Sequence, residues 1–447
     1  MIPARALLAA FVLASFAFAA PRAPQLALNL GIGRNVFAGR GFDIGWLGAS
    51  LEYAVHSAAG YGGLAALGGL AVIATLALVE WRARARAGNL LALAATVIAA
   101  FAFLDVLRVA GGGASWLAAA ALLVVLERAP GRRVFWAIPI AFVWCNLSAQ
   151  GIVAPLIVAL VALGTMLDEG YDAPTARRLW LVALGCAVAT VLTPAGFEFV
   201  AAAPLAARLD RNLLEILPLA PNALAPVGYR TAFFAIVVGG AALGLSQRRA
   251  VDGLLLAAGI VLTLLDGAFL PVLGIIAAPI LAGNLARMLP QFAAAAQPRE
   301  RKAGVGVAIF AIAAVALAIG INLRANVALA ERAAPQDLIE RLAADGRPHS
   351  LFCSALEWCD YAIGASTVHA WMDGRVERSS LATRDVQRIV ARVETDWPKR
   401  LRASGIDTLV VRKTDALATL LALSHEWYVR DGDETAQLFV RRAGILK

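Results

Sequence analysis

The sequence predicts a polytopic α-helical membrane domain of about 11 spans followed by a small α/β domain. Three observations predict it. Hydrophobic residues make up 60% of the 447 residues and charged residues only 16%, against roughly 45–50% and about 25% in ordinary soluble domains. Apolar runs approaching the ~20 residues that cross a bilayer recur as far as residue 323. The charge pattern then changes: residues 1–324 carry 23 Lys/Arg and 14 Asp/Glu, and residues 325–447 carry 17 of each. The net charge of +9 therefore lies on the apolar part, where basic residues beside spans set orientation. The neutral remainder offers no basic face for nucleic acid. This composition excludes a simple soluble enzyme, a disordered chain and a collagen-like chain.

The runs lie at about 6–20, 61–80, 89–107, 112–126, 134–148, 152–167, 179–194, 231–246, 251–265, 269–287 and 304–323. Several are short, which is tolerable where neighbours bury them or the bilayer thins. With the N-terminus inside, Arg5, Arg82, Arg84, Arg86, Arg128, Arg132, Arg133, Arg177, Arg178, Arg248, Arg249, Arg287, Arg299, Arg301 and Lys302 all fall inside. That is 15 basic residues inside against 8 outside, as positive-inside orientation requires. Residues 1–20 read either as the first span or as a signal peptide, with Arg5, an apolar stretch and Ala17-Phe18-Ala19 as the cleavage site. Both readings leave residues 21–60 as an outer loop, 61–323 as the multispan domain and 324–447 outside a cytoplasmic membrane.

The outside part alternates short β-type and helical runs. Strands are expected at Ser350–Ser354, Thr367–Met372 and Asp407–Arg412, and a terminal hairpin at Trp427–Asp431 and Gln437–Arg441. Asp385–Thr395 is an amphipathic helix with Val386, Ile389, Val390 and Val393 on one face, and Asp415–Leu423 is a second helix. Cys353 and Cys359 lie here with five residues between them; they read as a disulfide in an oxidising compartment or as two free thiols. Cys145 and Cys186 lie in apolar spans as small buried hydrophobes.

No histidine has a partner at metal-ligand spacing, so no metal and no cofactor is expected. Gly31-Ile-Gly33 and Gly39-Arg40-Gly41 lie in a loop context, not in a βαβ unit, which argues against a nucleotide site. Arg34 and Arg40 remain candidates for a lipid phosphate, or members of a solvated loop. Asp266 ends a span, where an ionisable group is a functional candidate or a helix end reaching water. Glu215 sits in an amphipathic stretch suited to the outer interface. Two polar breaks, Trp144–Gly151 and Thr193–Glu198, fall on the outer side; they are simple turns or, with the early loop, parts of one cleft.

The order of these features resembles a family of bacterial multispan proteins related to the GT-C class of membrane glycosyltransferases. Leu26–Phe37 is similar to that family's early outer loop, Asp43-Ile-Gly-Trp46-Leu47 to its Glu-Trp-Leu element, and Trp144–Gly151 and Thr193–Gly196 to its two breaks. Met372-Asp373-Gly374-Arg375-Val-Glu377 and Trp427-Tyr-Val-Arg-Asp431 resemble its C-terminal signatures. The resemblance implies action on a polyprenyl-phosphate sugar, with Asp43 or Glu52 as general base and Arg34 and Arg40 meeting the phosphate. It implies Asn146 and Glu198 on sugar hydroxyls, Glu215 and Asp266 as further substrate-binding residues, and Asp373 and Arg375 as an outer-domain signature. The chain departs from the pattern at Asn29, where a histidine is expected, and at Gly45, Ser148-Ala-Gln150 and Thr193. Those departures leave a second reading, a catalytically degenerate relative that binds lipid or an envelope protein. A transporter is a third, disfavoured by the lack of clear internal repeats.

Overall fold

The computed structural model describes residues 24–103, 112–128, 131–171, 173–194, 196–197, 240, 249–265, 269–290, 335–363, 365–373 and 380–442. The expected spans at 6–20 and 304–323, and nearly all of 231–246, lie outside them. The chain divides into two units, one of apolar helices from Ala65 onward and one built from residues 20–64 together with 324–447.

Helices α1 (Pro24–Phe37), α2 (Trp46–Arg84), α3 (Asn89–Ala100), α4 (Gly112–Arg128), α5 (Ala137–Leu147), α6 (Ala154–Glu169), α7 (Pro174–Val191), α8 (Ala250–Leu265) and α9 (Leu270–Met288) come first. Helix α2, the stretch Ala149–Glu169 and helix α9 are long and apolar enough to cross a membrane. The shorter helix α3 and Ala250–Thr263 are apolar as well. Helix α2 breaks at Gly60, whose φ of 59° and ψ of −158° form a backbone state that essentially only glycine adopts. The break falls where the loop was expected to give way to the span.

In the first unit small residues bring helix backbones together, as in membrane bundles generally. A Cβ on Gly164 of α6 would lie 2.5 Å from Val251 Cα of α8, and one on Gly274 of α9 would lie 3.0 Å from Ala102 Cβ. Polar clusters occupy the two ends of α4. At its C-terminal end Glu127 holds Arg82 through both carboxylate oxygens, at 2.7 and 2.8 Å, and also meets Arg86 at 3.1 Å. Arg86 reaches both oxygens of Asp252, and Arg82 Nη1 donates to the Ile275 carbonyl at 2.8 Å. The ends of α2, α4 and α8 therefore share one face, as their common basic character required. At the other end of α4, Trp144 Nε1 donates to Ser115 Oγ at 2.7 Å, which donates to Gln150 Oε1 at 3.0 Å. Cys145 and Cys186 are free and buried.

The second unit joins α1 and the first arm of α2 to the C-terminal α/β fold. There α10 (Gln336–Ala344), β1 (His349–Cys353), α11 (Leu356–Cys359), β2 (Val368–Ala370), α12 (Leu381–Ala391), α13 (Trp397–Ala403), β3 (Thr408–Arg412), α14 (Ala416–Leu423), β4 (Trp427–Gly432) and β5 (Ala436–Arg441) follow in order. The five strands form one sheet in the order β2-β1-β3-β5-β4. β1 is parallel to β2 and β3, and the terminal hairpin is antiparallel. Successive side chains leave opposite faces of a strand, and both faces here are covered. Leu351, Cys353, Val410 and Leu438 pack with α10 on one side, while Phe352, Leu409, Val411 and Phe439 pack with α13 and α14 on the other.

Two expected elements differ. The early segment is a helix where a loop was expected, and the next subsection gives its reason. The helix expected at Asp385–Thr395 begins earlier and ends earlier. Ser380 caps it, accepting from the Thr383 amide at 3.1 Å. It stops because Val393 adopts a left-handed φ of 55°, which no helix accommodates. Cys353 and Cys359 are joined as a disulfide across β1 and α11, with Cα atoms 5.6 Å apart.

A charged knot stabilises the sheet edge. Asp345 accepts from the Arg347 amide at 2.8 Å, from His349 Nε2 at 2.9 Å and from Arg430 Nη1 at 2.7 Å. These bonds, the Arg347 amide first, hold the Asp345 carboxyl well below the usual carboxylate range. A depressed carboxyl contributes stability above its unfolded value of about 3.9, and the contribution is lost as pH falls through that value toward the lower folded one. Asp345→Asn is expected to lower the melting temperature of the full chain at pH 7. The gap from wild type should narrow on acidification below about pH 4. A gap independent of pH between 7 and 3 would contradict it.

Candidate functional site

The early candidates sit on two packed helices. α1 carries Asn29 and Arg34, and the first arm of α2 carries Glu52 and His56. The glycines that looked like a phosphate cradle are the reason. A Cβ on Gly33 would lie 2.4 Å from the Ala49 carbonyl oxygen and 2.5 Å from Tyr53 Cβ. A Cβ on Gly31 would lie 2.7 Å from both the Asp360 carbonyl oxygen and Ile363 Cβ. Glycine is a weak helix former, yet here it lets α1 approach two neighbours that any larger residue would hold off. Leu28, Ile32, Ala49 and Ile363 form the apolar seat around that approach.

The contact aligns polar partners. Asn29 Nδ2 donates to Glu52 Oε2 at 2.9 Å, and Glu52 is 5% exposed. The asparagine found where a histidine was expected is thus the neutral donor that holds a buried carboxylate. Arg34 Nη2 lies 3.9 Å from Glu340 Oε1 on α10. That same oxygen accepts from Gln336 Nε2 at 2.9 Å, and Gln336 Oε1 accepts from the Tyr61 hydroxyl at 2.8 Å. Tyr361 is hydrogen-bonded to Tyr61. Burial, reinforced by Tyr61, pushes the Tyr361 phenol well above its ordinary value, so it stays a protonated donor. The His56 ring packs edge-on against Tyr61 with centroids 4.8 Å apart.

The turn between α1 and α2 carries the other two early candidates. Arg40 is exposed and Asp43 is half-buried, its Oδ1 accepting from the Ile44 amide at 2.8 Å. Asp373 is half-buried just past β2. In the other unit Asn146 is 2% exposed, and its amide nitrogen donates to the Phe142 carbonyl at 2.8 Å. The first polar break is a close-packed turn there: Ser148 Oγ accepts from the Gln150 amide at 3.2 Å, and a Cβ on Gly151 would lie 2.5 Å from the Cys145 nitrogen. Glu198, Glu215, Asp266 and Arg375 lie outside the described residues.

The structure therefore brings Arg34 and Glu52 onto one helix pair and places Arg40 and Asp43 in the turn that joins it. Sequence reasoning did not single out His56, Tyr61, Gln336 or Glu340. His56 follows Glu52 by four residues on one helix face, a signal that was readable. Gln336 and Glu340 are separated from their partners by some 300 residues, and no local pattern marks them.

No protein-family model and no curated relative matches the chain. Solved structures do. The crystal structure of ArnT from Cupriavidus metallidurans in the apo state matches with a TM-score of 0.55 at 15% identity, covering 98% of this chain and 97% of that one. The structure of the same protein bound to undecaprenyl phosphate matches with a TM-score of 0.54 at 16% identity, covering 99% and 97%. The chain has the fold of ArnT. The expected relation to the GT-C class thus holds at the level of the fold, from the apolar helices through the C-terminal sheet.

Proposed function

We propose that this chain acts at the outer face of a bacterial cytoplasmic membrane on a sugar carried by a polyprenyl phosphate, transferring it to an acceptor hydroxyl. The observation that carries the reading is the end-to-end fold likeness to ArnT, one structure of which holds undecaprenyl phosphate. In this reading the chain crosses the membrane about 11 times with its N-terminus inside and the α/β domain outside. A disulfide at Cys353 and Cys359 suits an oxidising exterior.

The chemistry needs a base and a cation. Asp43 would take the proton of the acceptor hydroxyl as its oxygen bonds to the sugar's anomeric carbon. The bond from that carbon to the phosphate oxygen breaks, and Arg34 and Arg40 stabilise the polyprenyl phosphate that leaves. Glu52, sealed behind Asn29, serves as a structural anchor beneath them. Asn146 and Glu198 remain the proposed contacts to sugar hydroxyls, and Glu215 and Asp266 remain proposed substrate-binding residues.

One observation favours a second reading, a lipid-binding envelope-assembly protein without catalysis. Glu52 is buried and bonded to Asn29, and Asp43 is engaged by a backbone amide, so neither candidate base stands free. Native mass spectrometry of the protein extracted gently from its own membrane decides between lipid classes. A co-purifying polyprenyl phosphate lost in Arg40→Ala supports the proposal, and bulk phospholipid alone at unchanged occupancy overturns it. Asp43→Asn then separates the two readings: lipid binding retained with transfer abolished means catalysis, and cellular function unchanged means binding alone.

A further inference from the structure

The C-terminal domain meets the early helices through one continuous polar chain. Tyr361 bonds to Tyr61, Tyr61 donates to Gln336, Gln336 donates to Glu340, and Glu340 faces Arg34. Its members come from both the α/β fold and the two helices, and Gly31 seats α1 against Asp360 and Ile363. Tyr361, where that path begins, lies in the turn directly after the disulfide at Cys359. Apart from the Gln336–Glu340 pair within α10, each link joins residues far apart in the sequence, so neither side is complete alone.

We infer that the C-terminal α/β domain is a positioning element for Arg34, with Gln336 and Glu340 as the positioning residues and Tyr61 as the link between them. The inference rests on the reading of Arg34 as a phosphate contact. A long, flexible guanidinium stem holds one geometry only when something fixes it, and the Glu340 carboxylate, itself held by Gln336, is the acidic partner 3.9 Å from it. The domain is then a working part of the proposed site and not a module for recruiting another protein.

The test uses the full chain in lipid nanodiscs, with undecaprenyl phosphate as the probe. Tyr61→Phe keeps the ring and removes the hydroxyl, and Gln336→Leu removes both bonds of the amide. Amide exchange over Pro24–Phe37 is expected to rise about fivefold in either variant, the effect of losing one net hydrogen bond. Exchange in β1 and β3 should stay unchanged, which reports that the domain still folds. Affinity for the probe should fall about fivefold in either variant, and the two substitutions should have no further effect once Arg34→Ala is present. Unchanged exchange over Pro24–Phe37 overturns the inference, and so does an equal affinity loss in the Arg34→Ala background. A wild-type chain that binds no undecaprenyl phosphate overturns the functional reading and the role of Arg34. In that case the exchange result alone still shows whether the domain holds the helix.

Discussion

Arg82→Ala is expected to cost the membrane-type unit about 3–5 kcal/mol, the range for breaking a buried ion pair by removing one partner. The Arg82 side chain is 1% exposed. Its guanidinium lies flat against both oxygens of Glu127 and turns its remaining donor to the Ile275 carbonyl. Truncation leaves Glu127 with Arg86 alone and strips the Ile275 oxygen of that donor. Lysine is no substitute, because a point charge cannot reproduce the paired, planar contact. The comparison is Arg84→Ala, whose pair with Glu80 lies on the surface of one helix turn and is worth about 0.3–0.5 kcal/mol. Thermal unfolding followed by monodispersity in detergent should show a large fall for Arg82→Ala and almost none for Arg84→Ala. Equal falls would mean the network is not buried as described. Replacing both partners, Arg82→Met with Glu127→Leu, should recover most of the loss, since a packed apolar pair avoids the stranded charge.

Gly33→Val is the second large effect. The branched side chain would meet the Ala49 carbonyl oxygen and Tyr53 Cβ at distances no real Cβ tolerates, and backbone cannot rotate away as a side chain can. Overpacking of this kind costs about 1–3 kcal/mol or more. It also moves α1 off α2, pulling Asn29 from Glu52. The control is Gly62→Ala on the same helix as Ala49, where an added Cβ meets nothing within 4 Å; it should be neutral or slightly stabilising. Melting of the two variants beside wild type checks the packing. A Gly33→Val chain as stable as Gly62→Ala would refute it.

How far the sequence carried these conclusions depends on whether the cause was local. The strands of the C-terminal sheet were legible because short apolar runs such as Leu351, Phe352 and Cys353 are a local signal. The common side of the basic clusters at Arg82, Arg86 and Arg128 was expected from charge beside apolar runs, although their ion pairs with Glu127 and Asp252 were not. The early segment misled for a physical reason. Gly31 and Gly33 read as loop residues because their helical use depends on Ala49 and on Asp360, far along the chain. The same holds for the site. Arg34 and Glu52 were named from residue type and order, while their partners Glu340 and Asn29 are set by tertiary contact. Val393 shows the converse: an apolar residue in phase with its helix that the backbone nonetheless uses as a stop.

The unit that holds α1 joins residues 20–64 to residues 324–447, and this has a consequence for biogenesis. Tyr61 and Gln336 are 275 residues apart. At about 5–20 residues per second, a ribosome needs roughly 14–55 s to deliver the second after the first. Throughout that interval the Gly31 face of α1 lacks its partners Asp360 and Ile363. The early pair must wait for the segment that carries Gln336, Asp360 and Ile363. Synthesis of the C-terminal fold, not that of the early helices, therefore times the completion of this unit.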